Sequence, residues 1–144
     1  MPARNAAVLT DGVLLAEWYI LRRPDEELER ARRYDRPLSV VVAEPQLIPG
    51  ERATALELEV AAAAARAAAR STDLLGWLGS DRILMIMPET SPLHARSAVF
   101  RWRNDMALKS RYIGGHAWRS KAIESPCSFE TAEELLRATA GRCR

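Results

Sequence analysis

The chain has 144 residues, of which 48% are apolar, and this is enough to build one ordinary domain around a single core. Its formal net charge of +2 is too small to indicate a nucleic-acid partner, and none is expected. The two cysteines, Cys127 and Cys143, have neither CxxC spacing nor a nearby histidine in sequence. This pattern favours reduced thiols in a cytoplasmic protein over a disulfide or a metal site.

One apolar segment near the start of the chain bears on membrane association. The segment from Val8 to Leu21 is too short to span a bilayer, contains Asp11 and Glu17, and lacks the cleavage pattern of a secretion signal. We therefore expect a cytoplasmic protein without direct membrane insertion. The pattern leaves open that the chain is the soluble domain of a larger membrane-associated protein.

The first half of the chain alternates helix and strand signals. Pro24 followed by DEELERARRY predicts a helix, with acids in its first turn and arginines in its last. The β-branched run from Leu38 to Ala43 predicts a buried strand, and the proline-containing segment from Glu44 to Arg52 predicts a loop. Thr54 to Arg70 has strong helix composition, and its many alanines allow close approach to a sheet.

The second half begins with two apolar runs, LLGWL and ILMIM, around a short polar turn from Gly79 to Arg82. This arrangement predicts a β-hairpin. Apolar residues at three-to-four spacing predict a helix from Ser91 to about Lys109, followed by a strand over Arg111–Trp118 and an amphipathic helix over Thr131–Gly141. The order of elements indicates one α/β sandwich, in which helices cover a sheet.

Two stretches of the sequence resemble GGDEF domains, the diguanylate cyclases that make cyclic di-GMP from two GTP molecules. ELERARRYDRPLSVVV, from Glu27 to Val42, resembles the opening helix and first strand of that family. RSTDLLGWLGSDRILMIMPET, from Arg70 to Thr90, matches its most specific region without a gap: R-x-x-D, five residues, the signature hairpin, an apolar strand and P-E-T. The resemblance implies a nucleotidyl-cyclase-like domain over residues 24–144, with a central, mainly antiparallel sheet flanked by helices, after an N-terminal helical or linker segment over residues 1–23.

The catalytic part of the family pattern is missing. The hairpin reads Gly-Ser-Asp-Arg-Ile instead of Gly-Gly-Asp/Glu-Glu-Phe, and an alanine stands where the first strand of a cyclase ends in a metal-binding aspartate. Glu44 follows one position later, which in a strand places it on the opposite face, and the next loop is too short for the family's guanine-contacting segment. The degenerate active-site positions are Ala43, Gly79, Ser80, Asp81 and Arg82. Since phosphoryl transfer depends on divalent metal held by carboxylates, we expect no enzyme activity, no metal and no cofactor.

The resemblance also implies a product-binding inhibitory site, because its three positions are present as Arg70, Asp73 and Arg101. A guanidinium offers parallel donors that match O6 and N7 of guanine, and a carboxylate accepts from the N1 and N2 donors of the same base. Three further candidates for contact with cyclic di-GMP are Arg66, Arg103 and Trp77.

Simpler roles for the same residues stay open. Arg70 could do no more than complement a helix C-terminus, with Asp73 as its surface partner. Arg101 could pair with Asp105 one turn along its helix. His116 has no evident metal partner in the sequence, which favours a polar surface or satisfied core role.

The leading hypothesis is a catalytically inactive GGDEF-like domain that acts as a cyclic di-GMP receptor and regulates an adjacent domain or a partner protein. The alternative is a structural or interaction module without nucleotide binding, with a homodimer or partner interface through the exposed apolar residues Val13, Leu14, Trp18 and Tyr19. A third hypothesis is a residual enzyme, or a domain that binds GTP and activates a partner.

Overall fold

The computed structural model describes residues 9–10 and 14–123. This part of the chain forms six strands and four helices. In chain order they are β1 (Leu9–Thr10), β2 (Leu14–Leu15), α1 (Glu17–Ile20), α2 (Arg23–Arg33), β3 (Leu38–Pro45), α3 (Ala55–Ala68), β4 (Leu74–Leu78), β5 (Arg82–Pro88), α4 (Pro92–Ile113) and β6 (Trp118–Ile123).

The strands form one sheet in the order β1-β2-β4-β5-β3-β6. Neighbouring strands are antiparallel except β2 and β4, which are parallel. The predicted α/β fold with a mainly antiparallel sheet flanked by helices is therefore confirmed.

The two faces of the sheet have separate cores, because side chains alternate along each strand. Val41 and Met85 lie on the face covered by α3 and α4, whereas Val40 and Ile86 lie on the face that packs on α2. On the first face the fully buried Trp102 donates from Nε1 to the carbonyl of Ala61, at 3.3 Å. The alanines of α3 permit this close packing because they have no side chain beyond Cβ.

The predicted hairpin is confirmed, although Arg82, predicted to lie in the turn, is the first residue of β5. β4 and β5 pair from Leu74 opposite Ile86 to Leu78 opposite Arg82, so the turn consists of residues 79–81. Gly79 has φ +64°, in the left-handed region that a glycine adopts without steric cost. Residues 79–81 therefore form an ordinary tight turn.

Two predicted boundaries in the first half were wrong. α3 ends at Ala68, because Ala69 takes an extended conformation, and Arg70 consequently lies in the following turn. The predicted loop over Glu44–Arg52 begins two residues later, because Glu44 and Pro45 continue β3 by pairing with β6.

The predicted strand over Arg111–Trp118 was also wrong. α4 continues through Arg111 to Ile113 and ends where Gly114 takes φ +66° and donates from its N–H to the carbonyl of Ser110, at 3.0 Å. A glycine in the left-handed region is a common helix terminator. β6 begins only at Trp118, so His116 lies in the connection before the strand.

The N-terminal residues contribute to the same sheet, since β2 pairs with β4. Leu14 was predicted to be exposed but is fully buried, whereas Trp18 has 38% of its surface exposed. The division between residues 1–23 and 24–144 stays a prediction. The predicted helix over Thr131–Gly141 and both cysteines lie outside the described residues. Within the described part of the chain, no helix is both long and apolar enough to cross a bilayer.

Candidate functional site

The R-x-x-D segment forms a closed turn between α3 and β4. The N–H of Arg70 donates to Oδ2 of Asp73 at 2.7 Å, and the N–H of Asp73 donates to the carbonyl of Arg70 at 3.0 Å. Asp73 is 4% exposed. The spacing of the two residues thus has a direct structural role, because the carboxylate closes the chain reversal.

The Arg70 side chain covers this buried carboxylate. Its Nη2 donates to the carbonyl of Pro88 at 2.9 Å and to the hydroxyl of Thr90, and lies 3.6 Å from Oδ1 of Asp73. Oδ1 is buried and accepts no hydrogen bond from the described residues. A buried carboxylate oxygen normally accepts a hydrogen bond, and Oδ1 accepts none from the described residues, although the Arg70 guanidinium lies close to it. All three of these side-chain contacts use Nη2.

Arg66 supports the turn from one helical turn upstream. Its Nη1 donates to the carbonyl of Asp73 at 3.2 Å, and its Nη2 donates to the carbonyl of Arg70. These hydrogen bonds satisfy two carbonyl groups of the R-x-x-D turn, so Arg66 stabilises the conformation of that turn.

Arg101 reaches the same end of α3 from α4. Its Nη2 donates to the carbonyl of Ala68 at 2.9 Å, two residues before Arg70. Asp105 instead pairs with Lys109, at 3.0 Å between Nζ and Oδ2. Arg101 therefore lies at the C-terminal end of α3, where a cation complements the helix dipole.

Arg70 also borders an open depression of about 390 Å³. Its lining residues are Arg23, Glu27, Arg30, Arg70, Thr72, Leu74, Pro88 and Glu89. Asp73 and Arg101 are not among them. The structure therefore brings Arg70 and Asp73 together at one corner, with Arg70 facing α2 and Arg101 approaching from α4.

Sequence reasoning missed the two arginines on α2 that line this depression. Arg23 and Arg30 flank Glu27, with guanidinium nitrogens 3.4 Å from its Oε1 on either side. Their i, i+4, i+7 spacing is a signal in the sequence, because it places all three on one helix face. They add positive potential near Arg70, partly offset by Glu27 and Glu89, which line the same depression.

Two other predicted ligand contacts lie elsewhere. Trp77 is 8% exposed and belongs to the core beneath α3 and α4, and Arg103 lines a separate depression with Ser120 and Ala122 of β6. Neither lies among the residues that line the depression next to Arg70.

The residues predicted to be degenerate active-site positions lie in the hairpin turn or close to it in the sheet. Ala43 is fully buried, opposite Ile83 of β5 and Ser120 of β6. Ala43 shares the core beneath α3 and α4, so Glu44, one residue later, lies on the other face, as predicted. Within the described residues, no cluster of three or more His, Cys, Asp or Glu side chains is arranged to hold a metal ion.

Another depression, of about 360 Å³, lies next to Gly79 and Ser80. It is bounded by the start of α3, at Ala55, Leu58 and Glu59, and by Ala16 and Glu17. Neither Asp81 nor Arg82 is among its lining residues.

A buried carboxylate that the sequence did not reveal lies on α3. Glu57 is 1% exposed and accepts from Nδ1 of His116 at 2.9 Å, from the His116 N–H, and from Nε1 of Trp118 at 3.2 Å. On the other side of the ring, Nε2 of His116 lies 3.2 Å from Oε2 of Glu51. The glutamates lie 59 and 65 residues from His116, so no local pattern could have indicated this cluster.

The contacts of this cluster shift the pKa of each of its three ionisable groups. Hydrogen bonds from His116 to Glu57 and then to Glu51 raise the imidazole pKa. Burial opposes ionisation of Glu57, but its hydrogen bonds with the His116 ring, the His116 N–H and Trp118 lower its pKa overall. The Ile48 N–H and then His116 lower the pKa of Glu51. The pKa shifts therefore favour an ionised carboxylate–imidazolium–carboxylate arrangement.

Solved structures share this architecture. The chain matches a DGC protein from Thermotoga maritima with a TM-score of 0.73 and 17% identity, over 91% of this chain and 96% of that one. It matches the GGDEF domain of DgcB from Caulobacter crescentus, solved in complex with c-di-GMP, with a TM-score of 0.70 and 11% identity, over 88% and 81%.

A third similar structure is the diguanylate cyclase SiaD from Pseudomonas aeruginosa, solved in complex with its activator SiaC. The TM-score is 0.71 and the identity 19%, over 96% of this chain and 57% of SiaD. No protein-family model and no curated protein sequence matches the chain. The fold is that of the α/β domains with a hairpin-centred antiparallel sheet. More specifically, the chain has the GGDEF-domain fold.

Proposed function

We propose that this protein is a catalytically inactive GGDEF-fold module that binds cyclic di-GMP at the corner formed by Arg70 and Asp73. The observation that carries the proposal is the buried Oδ1 of Asp73, which lacks a hydrogen-bond donor from the described residues beneath an exposed guanidinium. A guanine base supplies N1 and N2 donors for such an oxygen, and its O6 and N7 accept from arginine.

The surrounding charge supports a ligand that carries phosphates. Arg23 and Arg30 line the depression on one side of Arg70, and Arg101 lies at the end of α3 on the other. Cations that surround a binding site attract an anionic ligand even where they do not touch it. Binding would require the Arg70 side chain to uncover Oδ1, so ligand and intramolecular contacts compete for the same group.

The inactive state is supported by the loss of metal-binding groups. Ala43 is sealed in the core, and Arg82 is the first residue of β5, where a cyclase has a second carboxylate. Metal held by hard carboxylate oxygens supplies most of the charge stabilisation in phosphoryl transfer. We propose that the domain needs neither a metal nor a cofactor, and that bound cyclic di-GMP changes its contacts with a partner protein or an adjacent domain.

Calorimetric titration of the full chain with cyclic di-GMP tests the proposal. We expect saturable binding that Arg70→Ala weakens by about tenfold or more, since a charge-assisted contact to a ligand contributes at least ~1.5 kcal/mol. Arg33→Ala is the matched control, because Arg33 lies on α2, is 66% exposed and contacts only Glu29 among the ion pairs of that helix. The proposal would be refuted if no binding occurred at high micromolar cyclic di-GMP, or if Arg70→Ala bound the ligand as tightly as the wild type.

Two further variants locate the ligand. Arg30→Ala should weaken binding if cyclic di-GMP lies in the depression towards α2, and Arg101→Ala should do so if it lies towards α4. The stronger effect identifies the side on which the phosphates bind.

The second candidate function is a protein-interaction module, and the outer face of α4 favours it. Four large apolar side chains on this helix are mostly exposed: Leu93, Phe100, Leu108 and Tyr112. Apolar groups along one helix commonly mark an interface. Light scattering of the nucleotide-free protein would support this function if a stable dimer formed that Phe100→Ser disrupted and cyclic di-GMP left unchanged.

A further inference from the structure

His116 lies between two carboxylates that belong to different segments. Glu57 is on α3, while Glu51 is in the connection from β3 to α3. Both ring nitrogens face a carboxylate oxygen, at 2.9 Å and 3.2 Å. Only the doubly protonated imidazolium donates from both nitrogens, so this geometry corresponds to the charged form of His116.

The two carboxylates differ in how firmly they are held. The Glu57 side chain is 1% exposed and has two further donors, the His116 N–H and Trp118 Nε1. The Glu51 side chain is 40% exposed, and its other hydrogen bond comes from the N–H of Ile48, at 2.9 Å. Glu57 is therefore the fixed partner of the ring, and Glu51 is the partner that can leave.

We propose that His116 is a proton-operated latch that fastens the β3–α3 connection, through Glu51, to the connection between α4 and β6. When the ring loses a proton, the remaining one stays on Nδ1, because the buried Glu57 carboxylate needs a donor. Nε2 then presents a lone pair to Glu51, and two acceptors repel. The latch opens at Glu51 as pH rises and closes again as pH falls.

The pH at which the latch opens depends on the charged groups around the ring. Arg103 of α4 is, among the described residues, the other charged group that lines the same cavity as His116. Hydrogen bonds to Glu57 and Glu51 favour protonation of the ring, whereas burial opposes it. From β6 the ring's neighbour is Trp118, which carries no charge and donates to Glu57. The two carboxylates outweigh the effect of burial, so the pH at which the latch opens lies above the ordinary imidazole value.

Release of the β3–α3 connection would affect the depression next to Gly79 and Ser80. The connection leads into Thr54, the N-cap of α3, and the first turn of α3 borders that depression. Opening of the latch therefore loosens the segment that fixes one wall of that depression. This inference concerns a different part of the molecule from Arg70 and does not depend on cyclic di-GMP binding.

NMR titration of the full chain between pH 5 and 9 tests the latch. We expect the ring signals of His116 to titrate with a midpoint above 6.5, the ordinary imidazole value. The amide of Ile48, which is bonded to Glu51, should shift with the same midpoint. A His116 midpoint at or below 6.5, or an Ile48 amide that ignores the titration of His116, would overturn the proposal.

Two matched variants separate the latch from a merely structural contact. Glu51→Gln should lower the His116 midpoint and uncouple the Ile48 amide from it, while the His116 amide, bonded to Glu57, still follows the ring. Glu59→Gln removes an exposed acid from the same helix as Glu57 and should leave both midpoints unchanged. Equal effects of the two variants would show that the response is general electrostatics and would refute the latch.

Discussion

At the residue scale, the ionic contacts of His116 make a pH-dependent contribution to the stability of this protein. The imidazole pKa is raised in the folded state, so its contribution is complete below 6.5 and is lost as pH rises through the folded value. The carboxyl pKa values of Glu51 and Glu57 are lowered, so their contributions are complete above 4.5 and are lost as pH falls through the folded values. The cluster therefore stabilises the fold most between about pH 4.5 and 6.5.

Denaturation of the wild type and of His116→Gln across pH 4 to 9 measures this contribution. We predict that the difference in unfolding free energy between them is largest at pH 5–6 and shrinks above the folded imidazole pKa. His94→Gln is the control, because His94 is exposed and its ring contacts the hydroxyl of Ser91. A difference that grew with rising pH would contradict the assigned charge states.

The two sites differ in how much the sequence could reveal about them. Arg70 and Asp73 were predicted to share a corner, and they do, because a spacing of three residues forces proximity in a turn. His116 could not be paired from sequence with Glu57, which lies 59 residues away, since the two residues meet only through the tertiary fold. Short-range chemistry was therefore predictable, and contacts that depend on tertiary packing were not.

Gly76 controls, at the element scale, how α1 packs against β4. A Cβ built on Gly76 would lie 2.5 Å from Cβ of Ile20, a separation at which one of the two elements must move. We predict that Gly76→Ala destabilises the protein by about 1–3 kcal/mol, because overpacking a dense core forces backbone shifts. Urea denaturation measures the loss, and an indole fluorescence change from Trp18 on α1 would report displacement of the helix.

Gly79→Ala is the comparison for this prediction. Gly79 also resists substitution, but for a conformational reason: its φ is +64° and a Cβ there would meet no atom within 4 Å. The cost should be ~1 kcal/mol, without displacement of α1. If both variants changed Trp18 fluorescence equally, the fluorescence change in Gly76→Ala could not be attributed to close packing between Gly76 and Ile20.

The elements were predicted correctly where a local signal coincided with a packing requirement. The hairpin follows from two apolar runs around a glycine turn, and both runs are needed in the sheet centre. The end of α4 was misplaced because Arg111, Tyr112 and Ile113 are compatible with either a helix or a strand. Two features decide between them. Gly114 takes a left-handed conformation that ends the helix, and the pairing of β6 with β3 begins only at Trp118.

At the scale of the whole molecule, the chain has the GGDEF-domain fold, and the cations of the R-x-x-D corner lie away from the buried residue Ala43. Ala43 lies in a sealed core between β5 and β6, where a metal ligand would need access to solvent and to phosphate. The cations instead lie around the R-x-x-D corner, on α2, α3 and α4. This distribution suits recognition of an anion better than coordination of a divalent metal.

The chain should consequently form no cyclic di-GMP from GTP with either Mg²⁺ or Mn²⁺, as measured by chromatography of the reaction mixture. Restoring the carboxylates with Ala43→Asp and Arg82→Glu should not create activity, because the carboxylate introduced on β3 would be buried without a partner and cost about 2 kcal/mol or more. If Mn²⁺ raised the melting temperature of the double variant but not of the wild type, the site could still assemble around a metal. Product formation by the wild type would show that catalysis survives without these carboxylates, and the receptor would then have to be reconsidered as an enzyme.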